Sequence, residues 1–198
     1  MPSLIELIVG LGNPGPDYAG TRHNAGFWFI DRLCRSHGLT LREERKFLGY
    51  LTRLDLEGQA CWLLKPMTYM NRSGQSVAAM MNFYRLAPDN LLVVHDELDL
   101  PAGEARLKVG GGHGGHNGLR DIMAHLGNGD FMRLRIGIGH PGTRELVTPY
   151  VLSRPDATSD EAIQKAIETA MVALPEILRG EFRQAMNRLH RKVSPNPP

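Results

Sequence analysis

The sequence predicts an α/β fold, a single-domain sandwich whose mixed, mainly parallel β-sheet is flanked by helices. Three observations lead there. Short runs of branched apolar residues alternate along the chain with longer segments of helical spacing. Two of those runs, Leu4 to Val9 and Leu91 to Val94, are apolar almost throughout, as strands covered on both faces are. No internal repeat, low-complexity tract or composition break divides the 198 residues, so residues 1–193 read as one domain, with 194–198 (SPNPP) as a frayed tail.

In order, Leu4 to Val9 is a first strand stopped by Gly10. Ala25 to His37 follows as a helix with Gly38 as its C-terminal cap. Phe47 to Leu54 and Ala60 to Leu64 form a hairpin turning near Gly58, and Ser73 caps a helix that carries Val77, Met80, Met81 and Tyr84 and ends before Pro88. Leu91 to Val94 is a buried strand that delivers His95, Asp96 and Glu97 at its carboxyl end. Asn117 to Leu126 is a short helix closed by Gly127, and Arg133 to Gly139 alternates like a half-exposed strand with its arginines on one face. Ser159 to Leu174 and Glu176 to Lys192 are helical, broken at Pro175.

Composition removes several classes. Hydrophobic residues at 42% and charged ones at 22% are ordinary for a folded domain, which excludes disordered, collagen-like and coiled-coil chains. No apolar run approaches the roughly 18 residues of a membrane span. The N-terminus has no basic leader and carries Glu6 inside its apolar stretch, so it reads as a strand rather than a signal peptide, and a cytoplasmic location is expected. Cys34 and Cys61 lie far apart with no CxxC spacing, which suits core fillers rather than a disulfide or zinc site.

The chemistry gathers at strand ends. In open α/β sheets ligands bind beyond the carboxyl ends of the strands, which puts Gly10 to Gly15 and His95 to Asp99 on one cleft. Gly10-Leu11-Gly12-Asn13-Pro14-Gly15 has the spacing of a dinucleotide fingerprint, but Pro16-Asp17-Tyr18 follows where that site needs a helix, so an oxidoreductase is disfavoured. The turn instead displays Asn13. His23 just before a helix and Asp96 at a strand mouth form a candidate general base with its orienting carboxylate. Asn71 precedes a helix, and His116 and Asn117 follow a glycine-rich run; 11 of the 22 glycines lie between Gly110 and Gly142, giving backbone clearance for a large ligand. His113 and His116 supply only two ligands, so no metal is expected. With no GxSxG and no cysteine beside a histidine in a motif, water is the expected nucleophile of any hydrolase here.

Six strings, GLGNPG, TRHNAG, PMTYMNRSG, HDELDLPAG, GGGHGGHNGL and RLRIGIGHPG, in this order and spacing, resemble the bacterial peptidyl-tRNA hydrolases from about Leu4 to Arg191. The resemblance implies a monomeric, cofactor-free enzyme that cleaves the ester between a peptide and the terminal ribose of tRNA, recycling tRNA that has left the ribosome. It further implies His23 as general base, Asp96 as its supporting carboxylate and Asn13 as the reader of the peptide end. Asn71 and Asn117 would position substrate and water, Tyr18 and Tyr69 would touch substrate, and His116 would support them; other members often carry phenylalanine where Tyr69 stands. A different reading is a non-catalytic RNA-binding relative of the same fold, but intact His23, Asp96, Asn13 and Asn71 favour the enzyme.

The net charge of +2 alone argues against nucleic acid, yet residues 1–99 hold 10 basic and 11 acidic side chains while 100–198 hold 13 and 10. Arg106, Lys108, Arg133 and Arg135 flank the glycine run, and Arg183, Arg188, Arg191 and Lys192 decorate the last helix. Together they predict a phosphate-binding track, with Lys108 and Arg135 its foremost members, that reads tRNA shape and acceptor end rather than sequence.

Overall fold

The computed structural model describes residues 3–190, so the tail at 194–198, Arg191 and Lys192 lie outside the described residues. Seven strands form one mixed sheet: β1 (Leu7–Gly10), β2 (Arg42–Glu44), β3 (Gly49–Leu56), β4 (Gln59–Pro66), β5 (Leu91–Glu97), β6 (Ala105–Val109) and β7 (Met132–Gly137). Their order is β2-β3-β4-β1-β5-β7-β6. The pairings β4-β1, β1-β5 and β5-β7 are parallel, and the pairings at the two edges are antiparallel. The expected parallel character thus belongs to the central strands, whose carboxyl ends all point one way.

Strict alternation explains the apolar runs. In β1 and β5, Leu7, Val9, Leu91 and Val93 face α2 (Ser73–Tyr84) and α3 (Asn117–Leu126), where Val77, Met80, Leu119, Ile122 and Phe131 fill the layer. Ile8, Leu92 and Val94 face the other way, against Phe29, Ile30 and Leu33 of α1 (Ala25–Ser36) and Ile163 and Ile167 of α5 (Ala157–Val172). Cys34 and Cys61 are buried, free thiols in that second layer.

Several elements depart from expectation for local reasons. Ser73 opens α2 but does not cap it; the chain already turns at 70–72, and Ser73 Oγ donates to the Met70 carbonyl (2.8 Å). The α2 amide of Gly74 is met instead by Asp121 of α3 (2.7 Å). The helix ends at Tyr84 on a left-handed Arg85, ahead of Pro88. Pro175 lies in the first turn of α6 (Leu174–Leu178), where its missing N–H has no helical acceptor to lose, just past the expected break, which falls at Ala173; a second break, before α7 (Phe182–Leu189), falls near Gly180. Strand β7 is covered on both faces: Arg133 and Arg135 share a face, but Arg133 is only 2% exposed. Sequence periodicity also passed over β2, β6 and α4 (Val147–Val151). No helix among the described residues is long and apolar enough to cross a membrane.

One contact positions the site. The start of α1 lies on the carboxyl ends of β1 and β5, with Gly26 over the Leu11 backbone and the Val94 carbonyl and Gly10 against the Gly26 carbonyl; a Cβ at either glycine would meet backbone far inside contact distance. Leu11 N–H donates to Val94 O (3.0 Å) and Phe27 N–H to Leu11 O (3.2 Å), which close the seam. Backbone cannot yield as a flexible side chain can. Gly26→Ala is therefore expected to destabilise the protein by about 1–3 kcal/mol, the usual range for overpacking, read as a lower urea midpoint at unchanged slope.

Candidate active site

The seam puts the 3-10 turn Arg22–Asn24 beside the end of β5. His23 Nδ1 lies 3.0 Å from both carboxylate oxygens of Asp96, and the two residues are 9% and 3% exposed. A second imidazole meets the same carboxylate: His116 Nε2 is 2.8 Å from Asp96 Oδ1. His116 is the N-cap of α3, its Nδ1 accepting the amides of Gly118 (3.2 Å) and Leu119 (3.4 Å), so its ring proton sits on Nε2 and is donated to Asp96. His23 correspondingly donates from Nδ1, and its Nε2 has no protein partner among the described residues.

Electrostatics follow from this sharing. Burial alone would raise the Asp96 carboxyl, but the charges and hydrogen bonds of His23 and His116 together hold it well below the usual carboxylate range. Burial pulls the His23 imidazole down, and the charge and hydrogen bond of Asp96 outweigh it, leaving His23 above its ordinary 6.5. The three donor atoms lie within 4.8 Å of one another, the spacing of a cation site, but a cation there would have to displace the protons that both imidazoles give Asp96.

Asn13 is held from three sides. Asn24 Oδ1 accepts the Asn13 amide (2.8 Å) while Asn24 Nδ2 donates to the Asn13 carbonyl (2.9 Å). Asn13 Oδ1 accepts the Met70 amide (2.7 Å), which fixes the side-chain orientation and leaves Nδ2, a donor, for the cleft. That cleft, of about 980 Å³, brings together Asn13, His23, Tyr69, Asn71, Asp96, His116 and Asn117. Asn71 and Asn117 are exposed on it, and Asn117 Oδ1 accepts Arg120 Nη1 (3.2 Å), leaving its NH₂ free to donate. Tyr69, 59% exposed, lines the cleft; Tyr18 does not, and packs edge-on against Tyr69 at 6.4 Å.

The basic residues are placed differently. Lys108 and Arg135 do not line the cleft: Lys108 is exposed on β6 without an ion pair among the described residues, and Arg135 pairs with Glu97 (3.2 Å). Arg133 is no surface cation. It donates to the carbonyls of Gly111 (2.6 Å), Gly112 (2.5 Å) and Gly129 (3.3 Å), anchoring the glycine-rich loop from beneath. Gly110, Gly111, Gly114 and Gly115 take positive φ, so the loop needs glycine for its turns as well as for clearance. Arg188 is engaged by Glu176.

Sequence reasoning missed three contributors. Asn24, within TRHNAG, clamps Asn13. His95 donates Nδ1–H to the Asp96 carbonyl (2.7 Å) and packs against His116 at 5.0 Å; burial, then His116, push it down to about 3, so it stays neutral. The apolar part of the cleft lining comes from Leu98 and from Val147, Val151 and Leu152 in and after α4, with Thr148 among them, and the i, i+4 spacing of Val147 and Val151 was its only sequence signal.

Because Asp96 is what lifts His23, Asp96→Asn leaves burial unopposed. The His23 titration midpoint is expected to move from above 6.5 to below it, followed by imidazole NMR; a midpoint that stayed or rose would contradict the assigned cause.

Comparison with known proteins shows the family. A family model described as peptidyl-tRNA hydrolase matches residues 7–196. The peptidyl-tRNA hydrolase of Methylococcus capsulatus is 58% identical over 187 residues, 94% of this chain and 100% of the relative. That of Halorhodospira halophila is 55% identical over 185 residues, 93% of this chain and 95% of the relative. A crystal structure of peptidyl-tRNA hydrolase from Acinetobacter baumannii matches with a TM-score of 0.92 at 51% identity, covering 96% of each chain. With one fold and one family matched over nearly its whole length, this chain belongs to the peptidyl-tRNA hydrolase family.

Proposed function

We propose that this member of the family hydrolyses the peptidyl-tRNA ester by direct attack of water, with His23 as general base. The observation that carries the reading is the shared carboxylate: Asp96 accepts the Nδ1–H hydrogen bond of His23, so the free Nε2 lone pair is the one left toward the cleft. A water between Nε2 and the ester carbonyl loses its proton to Nε2 as its oxygen bonds the carbonyl carbon. The amide groups of Asn71 and Asn117 stand on the cleft to donate to the developing oxyanion and to the water. Collapse breaks the bond to the ribose oxygen, which takes the proton from the imidazolium; the products are free tRNA and the peptide acid, which ionises to its carboxylate by losing the second water proton to solvent. Asp96 holds the tautomer and offsets the positive charge, and no covalent intermediate or metal enters.

Asn13 supplies the choice of substrate. With Oδ1 committed to Met70, its cleft-facing group can only donate, so it suits a peptide or acyl carbonyl and offers nothing to a free α-ammonium. Tyr69, buttressed by Tyr18, gives an aromatic face at the mouth. Lys108, with Arg106 and Arg135 on the same face of β6 and β7, is our candidate contact for the tRNA backbone. A monomer is part of the same reading, as the family resemblance implies, and a substrate made by translating ribosomes suits work in the cytoplasm.

His23→Ala is expected to lower kcat on N-acetylaminoacyl-tRNA by at least about 100-fold, the low end for general acid–base catalysis. A variant retaining full turnover would exclude His23 as base. Asn13→Ala should narrow the preference for N-acetylated over free aminoacyl-tRNA, measured as the ratio of kcat/KM values; an unchanged ratio would remove that role. Lys108→Ala should weaken tRNA binding and reduce its log–log salt slope by about 1, and an unaltered slope would place the phosphate contact elsewhere.

A further inference from the structure

Arg22, the neighbour of His23, is a buried cation that the proposed chemistry does not use; it is 7% exposed. Its side chain turns away from the cleft and grips the end of α4. Nη1 lies within hydrogen-bond distance of the carbonyls of Tyr150 (3.3 Å), Ser153 (3.3 Å) and Arg154 (3.1 Å) and of Ser153 Oγ (2.6 Å). The guanidinium carbon sits 4.0 Å over the Tyr150 ring, and the Arg22 amide donates to Ser153 O (3.1 Å). Tyr150 Oη in turn donates to Ile138 O (2.6 Å), just past β7.

Arg22 meets backbone carbonyls at and just past the end of α4, Tyr150 lying in the helix and Ser153 and Arg154 beyond it, and the C-terminal end of a helix attracts a cation. Helix α4 has only five residues, too few to hold its place by its own hydrogen bonds, yet Val147, Thr148 and Val151 line the same cleft as His23. The same 3-10 turn therefore carries the base and the grip on α4. We propose that Arg22 is a positioning residue: by capping the C-terminal end of α4 it fixes this part of the cleft wall relative to His23 and keeps the cleft in the shape that binds the peptidyl end. This rests on the reading of the cleft given above.

Without the grip α4 populates displaced positions, and apparent affinity falls with the fraction of molecules whose wall is in place. Arg22→Met is expected to raise KM for N-acetylaminoacyl-tRNA by about 10-fold or more with kcat little changed, the scale of losing charge-assisted hydrogen bonds. The pH midpoint should stay put, since Asp96 and burial, not Arg22, set the His23 proton affinity. Amide hydrogen exchange should quicken at 147–153 and not in β5. Arg22→Lys, which keeps the charge but loses the planar fork, should fall between.

A folded Arg22→Met enzyme with unchanged KM, a loss confined to kcat, or exchange that quickens equally across the sheet would overturn the proposal. Should that variant not fold, Ser153→Ala removes the shortest acceptor of Arg22 together with that hydroxyl's own bond to the Tyr150 carbonyl (2.7 Å): a higher KM with faster exchange at 147–153 supports the role, and unchanged values for both refute it. If the unmodified protein failed to cleave the substrate, the functional reading would fall, while exchange would still report whether Arg22 holds α4.

Discussion

The site depends on two glycines meeting backbone to backbone. Gly10 closes β1 and Gly26 lies in the first turn of α1, and their contact lets the helix start sit on the strand ends with no side chain between. His23 and Asn24, immediately before the helix, are thereby brought to Asp96, 73 residues away, and to Asn13, 11 residues away. The same packing accounts for the dinucleotide-like spelling of the first loop. Gly10 is there for the helix and Gly12 for the ring of Phe27, and the chain reaches its next regular turn only at Arg22, so no helix N-terminus is offered to a pyrophosphate.

Around that seam the protein divides the work of one carboxylate between two histidines. His116 caps α3, which aims its Nε2 proton at Asp96; the His23 side chain hydrogen-bonds Asp96 alone among the described residues and presents its other nitrogen outward. A buried carboxylate accepting from both sides is well satisfied, which is why it remains ionised in surroundings that would otherwise protonate it. His95 beneath stays uncharged and fills space against His116, so no further positive charge would compete with the imidazolium that the proposed proton transfer forms.

Much of this was legible in the sequence because its signals are local. Apolar runs marked the central strands, helical spacing marked α1 and α3, and the loops after β1 and β5 drew attention to Asn13, His23 and Asp96. What escaped depends on distant partners. Arg133 alternates like a surface residue, and only the return of the glycine loop over β7 buries it. Helix α4 is five residues long with Pro149 inside it, a pattern that reads as a turn until the Arg22 guanidinium supplies its cap. The capping of α2 by Asp121 crosses between helices, so no window of adjacent residues reveals it. Lys108 was singled out on charge and stands exposed, whereas Arg135 already has a carboxylate beside it.

The central claim is that Asp96 accepts the Nδ1–H hydrogen bond of His23 and so leaves Nε2 free to accept a proton from water. Nitrogen-15 NMR of the labelled imidazoles, recorded above the His23 titration midpoint, reads the tautomers directly. The account predicts His23 protonated at Nδ1 and bare at Nε2, with His116 the reverse. A His23 ring carrying its proton on Nε2 would have no lone pair for the cleft and would contradict it.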